Sequence, residues 1–201
     1  MHASRGRPAL FLLLLIFLPS RAVGDDWPAA QVANAFSANG QYFVRITPGE
    51  SVGDTVGFAG APKGVYARAE FYARQADRSY ALIADVALEN PVAPVDALVS
   101  IAGHLITFDN WHNIGYGRVV AIYGPHGKLI AAYDLEQLYP PDRLSRLPMS
   151  VSSRWWRCSA RGYVDPGKET AVFVTERLGG TFVFELATGK FDYRPGKAEC
   201  Q

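Results

Sequence analysis

The chain has 201 residues, with 20 basic and 19 acidic side chains, and 49% of it is hydrophobic. That length suits one domain with an adequate core. Outside the N-terminal segment there is no Lys/Arg cluster, which excludes charge-driven binding to nucleic acid or to an anionic membrane.

The chain opens as an export signal. Arg5 and Arg7 precede an apolar run, PALFLLLLIFLP, and the small-x-small site Ala22-Val23-Gly24 then gives way to Asp25-Asp26. The run is shorter than the roughly 20 residues a spanning helix needs, so residues 1–24 read as a cleaved signal peptide rather than an anchor. The remainder, 25–201, reads as a single β domain, periplasmic or secreted, with no stable membrane anchor after cleavage. Removing Arg5, Arg7 and Arg21 from the 20 basic residues leaves 17 against 19 acidic, a net charge near −2. In an exported chain the two cysteines, Cys158 and Cys200, are expected to form a disulfide. There is no CxxC spacing, and two thiolates alone do not make a structural zinc site.

Residues 25–36 are alanine-rich and fit a helical turn or an ordered arm anchored by Trp27 and Phe36. After the turn Ser37-Ala38-Asn39-Gly40, residues 41–46 alternate as a strand does. Residues 47–64 are rich in glycine and proline and form an irregular loop, long enough to be mobile or functional. Two strands follow, 65–73 and 80–88, around a polar turn at 75–79. A helical reading of 66–88 has only its alanines in favour. Pro91 and Pro94 make 89–94 an extended connector. Residues 95–99 lead to a short strand at 105–108, a two-glycine loop at 109–117, and a hairpin of 118–123 and 128–133 about Gly124-Pro125-His126-Gly127. Asp134 caps a helical turn that Tyr139-Pro140-Pro141 stops. A polar connector, 142–153, leads into 154–164, which holds Trp155, Trp156 and Cys158. Beyond a turn at 165–168 come strands at 170–175 and 181–186 about Leu178-Gly179-Gly180, a turn at 187–190 and a last strand at 191–193.

Three segments share one grammar: a Ser-led turn (Ser37 to Gly40, Ser100 to Gly103, and a degenerate Ser152-Ser153-Arg154), a short strand, a turn and a hairpin. The hairpins match best between VVAIYGPHGKLIAAYDL and VFVTERLGGTFVFELATG. This grammar resembles the blade repeat of β-propellers. The resemblance implies antiparallel meander sheets in about three blade-like repeats. Closed propellers have about 4–8 blades, so three stay open unless the chain oligomerises. A small open or sandwich-like β domain fits equally. The stretch FDNWHNIGYG is similar to exported bacterial proteins of uncharacterised function, and that resemblance implies no activity.

Two constellations bear on chemistry. Asp109 and His112, three apart on a glycine-bearing loop, form with His104 one carboxylate and two imidazoles, a set found at zinc and non-haem iron sites. No HExxH or HxH spacing supports it, and a turn-forming Asp109 with a packed Trp111 explains the same residues. Trp111, Tyr116, Trp155 and Trp156 could build a stacking platform. Adjacent strand residues point to opposite faces, so one of Trp155 and Trp156 should be exposed or covered by another element, beside Arg154 and Arg157. His126 in its hairpin turn reads as exposed and idle. Asp85, Glu89 and Asp96 have no spacing that sets two of them face to face for glycoside chemistry. No nucleophile elbow and no phosphate loop occurs, and no motif implies a cofactor. The expectation is an exported, non-catalytic β domain that binds a protein, peptide or glycan through loops at one end of its sheets. The alternative is a metal-dependent hydrolase built on the Asp109/His112 loop.

Overall fold

The computed structural model describes residues 27–158, 163–164, 170–197 and 200; the expected signal peptide and the turn at 165–168 lie outside the described residues. The fold is all-β, made of three four-stranded antiparallel sheets. Sheet 1 comprises β1 (Ala33–Phe36), β2 (Tyr42–Thr47), β3 (Arg68–Arg74) and β4 (Tyr80–Ala87). Sheet 2 comprises β5 (Pro94–Val99), β6 (Leu105–Asn110), β7 (Val120–Tyr123) and β8 (Leu129–Tyr133). Sheet 3 comprises β9 (Tyr163–Val164), β10 (Ala171–Thr175), β11 (Thr181–Glu185) and β12 (Phe191–Arg194). Each is a meander in chain order. Between sheets 2 and 3 lie two helical turns, α1 (Leu135–Leu138) and α2 (Pro141–Leu144).

Strand alternation decides how the sheets stack. On β6 and β7, Leu105, Ala121 and Tyr123 point one way, into a core with Val44, Ile46, Ala69 and Phe71 of sheet 1. Ile106, Phe108, Val120 and Ile122 point the other way, into a core with Val172, Val174, Phe182 and Phe184 of sheet 3. Sheet 2 is therefore the middle layer, and every residue of β6 and β7 is buried. The first core is lined by alanines (Ala67, Ala69 and Ala121), the second by aromatic rings. Those alanines serve close sheet-to-sheet packing, which is why 66–88 is strand although its composition permits helix.

The arm expected at 25–36 is extended from Trp27, and its end is β1, where Ala33 and Ala35 pair with Ile46 and Val44. Pairing with β2 here overrides alanine's helical preference. Residues 95–99 are a full strand beginning at Pro94, at the edge of its sheet, where a missing N–H costs nothing. Asp134 caps α1 in a capping box: it accepts from Gln137 N, and Gln137 Oε1 accepts from Asp134 N. The connector after it carries α2, with proline at its first turn.

Internal repetition is present in the turns, in a different phase from the one the sequence indicates. Ser37 and Ser100 open equivalent turns: Gly40 N and Gly103 N donate to their carbonyls, and Tyr42 N and His104 N to their hydroxyls. The third-to-fourth-strand turn of each sheet holds a residue of positive φ: Arg78 (71°), Gly127 (73°) and Gly189 (71°). The 124–127 turn thus corresponds to 187–190, between β11 and β12, and not to Leu178-Gly179-Gly180, which joins β10 to β11.

Cys158 and Cys200 are disulfide-bonded across a separation of 42 residues. In the chain-entropy model a loop of that size stabilises by about 4 kcal/mol. Cys158→Ser should therefore lower unfolding free energy by a few kcal/mol under oxidising conditions and by nothing under reducing ones. Urea denaturation with and without dithiothreitol reads both.

Candidate functional site

The loops joining β2 to β3, β4 to β5, β6 to β7 and β8 to α1 all leave the same end of the sheets. The β6–β7 loop is built on Asp109. This residue is fully buried and takes a left-handed φ of 56°. Its Oδ1 accepts from Gly115 N (2.9 Å) and from the indole N–H of Trp156 (2.8 Å), and its Oδ2 accepts from Arg157 Nε (2.8 Å). Arg157 Nη2 also donates to Asp96 Oδ2 at 2.8 Å. Gly115 lies so close to Arg154 that a Cβ there would sit 2.1 Å from its carbonyl oxygen. Asn110 Nδ2 donates to the carbonyls of Tyr116 (2.7 Å) and Arg118 (3.1 Å), and its Oδ1 accepts from Asn90 (2.8 Å).

The pinned loop forms one wall of a polar cleft of about 310 Å³. The opposite wall comes from the long 48–67 loop, through Asp54, Val56 and Tyr66. Glu89, Arg118 and Asp134 close the third side. Arg118 sits between two carboxylates, with Nε 3.5 Å from Glu89 Oε2 and Nη1 3.3 Å from Asp134 Oδ2. Asp54 is paired with Lys63 (2.5 Å) and accepts from Ser51 Oγ (2.6 Å), and these two groups, Lys63 first, hold its carboxyl below the usual carboxylate range. Burial, then the nearby Asp54 charge, pushes the Tyr66 phenol up, so Tyr66 keeps its proton. Asn113 also lines the cleft. It is 2% exposed, and its Nδ2 donates to Val56 O at 3.0 Å. Its Oδ1 accepts no hydrogen bond among the described residues. The cleft is therefore rich in acceptors, with Arg118 and Tyr66 as donors.

Among the residues singled out from sequence, Tyr116 and Glu89 line this cleft, Tyr116 with the Arg154 guanidinium 5.2 Å from its ring centroid. Trp111 is half-buried under the N-terminal arm. Trp27 packs edge-on at 5.4 Å, and the Trp111 indole N–H donates to Pro28 O at 2.9 Å. Trp155 is 41% exposed and Trp156 is fully buried against Asp109 and Phe182, so the pair faces opposite ways and Trp156 is no part of an exposed platform.

His104, Asp109 and His112 are not brought together. His104 precedes β6, where its Nδ1 lies 3.3 Å from Ser100 Oγ, and Asp109 stands near the far end of that strand. Five residues of strand separate them by about 16 Å, beyond the reach of one ion. His112 packs instead against the rings of Phe58 (5.4 Å) and Trp27 (6.0 Å). Among the described residues no three His, Cys, Asp or Glu side chains form a group that could hold a metal. His126 is exposed in its turn.

Sequence reasoning missed Arg118, Asn113 and the Arg157–Asp109–Asp96 cluster. The length and glycine content of residues 47–64 were the usable signal, because that loop supplies one wall.

No family model and no curated protein matches the chain. Among solved structures it is similar to the crystal structure of HIRA(644-1017), at 9% identity and a TM-score of 0.34, over 83% of this chain. The chain spans about half (54%) the length of that one. A likeness at that level carries no inference about activity.

Two predictions follow from this geometry. Removing one partner of a buried charge pair typically costs about 3–5 kcal/mol. Asp109→Ala should lose stability on that scale in urea denaturation, and the loss should be the same with EDTA as with Zn²⁺, whereas a metal-dependent loss would restore the hydrolase reading. Burial lowers the pKa of both His104 and His112 below the ordinary histidine value. The unfolded chain then binds more protons as pH falls through about 6.5, so stability is complete above that pH and declines below it. His104→Gln with His112→Asn should flatten the stability difference between pH 7.5 and 5.5, and an unchanged difference would mean that other groups set it.

Proposed function

We propose that the protein is an exported, non-catalytic binding domain, periplasmic or secreted, and that the cleft at the loop end of its sheets takes a short neutral glycan. The observation that carries this reading is the acceptor-rich lining: the carboxylates of Asp54, Glu89 and Asp134, beside the ring of Tyr116. A sugar presents many O–H donors and an apolar C–H face. Fixed acceptors can take the hydroxyls, and an aromatic ring can cover the C–H face. The acids around the cleft are held by Arg118 and Lys63, which positions their oxygens without neutralising the acceptor character of the site. Binding sites of this kind sit on loops carried by a rigid framework, and the framework here is the doubly covered sheet 2.

Protein and peptide ligands belong to the same class of reading, and a titration separates them. Isothermal titration calorimetry against short neutral oligosaccharides, uronate oligosaccharides and peptides should give heat with the neutral sugars. Uronates should bind about tenfold more weakly or worse, about 1.4 kcal/mol, because they bring like charge to the cleft carboxylates. Tyr116→Ala and Arg118→Ala should each weaken binding while leaving the fold intact, since the Arg118 ion pairs are largely exposed. Peptide binding without sugar binding would overturn the glycan reading.

A further inference from the structure

Sheet 2 has both faces covered, but among the described residues sheet 1 has a cover on one face only. Its other face is not an ordinary polar surface. The strand register sorts it into rows that run across the sheet. One row is Phe36, Phe43, Tyr72 and Leu82, on β1, β2, β3 and β4 in turn. The rings of Phe36 and Phe43 stack at 5.3 Å, those of Phe43 and Tyr72 at 4.4 Å, and Tyr80 meets Phe43 edge-on at 4.9 Å. Phe36 is 60% exposed and Leu82 53%. The next row is Asn34, Arg45, Glu70 and Asp85, again one residue per strand. Contiguous exposed aromatic surface of this kind marks an interaction site.

The charge order says what fits it. The polar row runs from neutral through positive to negative: Asn34, Arg45, Glu70, Asp85. Consider a two-fold axis parallel to the strands and lying between β2 and β3. It lays β2 of one copy over β3 of the other, and β1 over β4. Arg45 then meets Glu70 of the second copy, Glu70 meets its Arg45, Phe43 meets Tyr72 and Phe36 meets Leu82. The central Arg45/Glu70 pair meets itself with opposite charges opposed, and the aromatic row meets itself with apolar groups matched. Such self-complementarity is what an isologous interface requires. Aligned packing of two sheets about 10 Å apart supplies the geometry.

We propose that the outward face of sheet 1 is the interface of a two-fold dimer of this chain. The dimer covers the aromatic row and stacks sheet 1 on sheet 1, giving six sheets in series. The face is of modest size, so the association is expected to be of the weak class.

Sedimentation equilibrium of the purified protein, at concentrations on the order of 100 µM where weak dimers populate, tests it. The weight-average mass of the wild type should rise with concentration from that of one chain toward twice it. Arg45→Glu makes both members of the central pair acidic and Glu70→Arg makes both cationic, so each variant alone should be monomeric. The two groups form only an open, 3.9 Å pair, and circular dichroism should show both variants folded. An equimolar mixture of the two variants should recover the dimer, because each then meets its opposite across the axis. A monomeric wild type overturns the proposal. Dimers that survive both single charge reversals overturn it in favour of another face. Singles that dissociate but do not recombine also overturn it, as pairing of sheet 1 with the outward face of sheet 3 would give.

Discussion

The buried contact between Asp109 and Arg157 holds three parts of the molecule in register. Asp109 lies one residue before the end of β6 in the middle sheet, at the root of the β6–β7 loop, while Arg157 lies on the segment that enters sheet 3. Withdrawing two charges from water is costly, and the cost is met only if their hydrogen-bonding capacity is used. Here Oδ1 takes two donors and Oδ2 a third, and Asp96 takes a further N–H of Arg157. Because one of those donors is a backbone amide of the loop and another is the indole of Trp156, loop shape and sheet-to-sheet docking cannot vary independently. The cleft wall that carries Asn113 and Tyr116 inherits its rigidity from this contact.

Much of the fold was legible in the sequence because the alternation on β2 and the apolar, β-branched runs of β6, β7, β10 and β11 are local properties. The reading failed where the deciding interaction was remote. Residues 33–36 are strand because β2 lies beside them, and nothing within an alanine-rich stretch says so. The phase of the repeat was misjudged for a related reason. Two hairpins with similar β-branched composition were aligned, while the feature that marks equivalence, a positive-φ residue in the third turn of each sheet, is arginine in one case and glycine in the others. Backbone conformation is shared there and residue type is not.

The site was legible only in outline. The loop 109–117 stood out, yet the meaning of its residues inverted on folding. Asp109 and His112 have the types of metal ligands, but the first is consumed by buried donors and the second is packed between rings. The residues that do face the cleft, Asp54, Glu89, Arg118 and Asp134, are scattered over eighty positions of chain and are ordinary surface types. They meet because every second connection of a meander returns to the same end.

The position of the disulfide has a consequence for biogenesis. Every sheet closes from one continuous stretch of chain, and the docking of sheet 3 on sheet 2 begins with Trp156 and Arg157, immediately before Cys158. Its partner, Cys200, lies beyond β12. The covalent link can therefore form only after the last strand of sheet 3 has been made, by which point hydrophobic burial and the Asp109 contact have already had the chance to set the order of the layers. Oxidation then acts as a latch on a finished arrangement and not as a guide to it. A reducing compartment would yield the same topology with a looser final sheet.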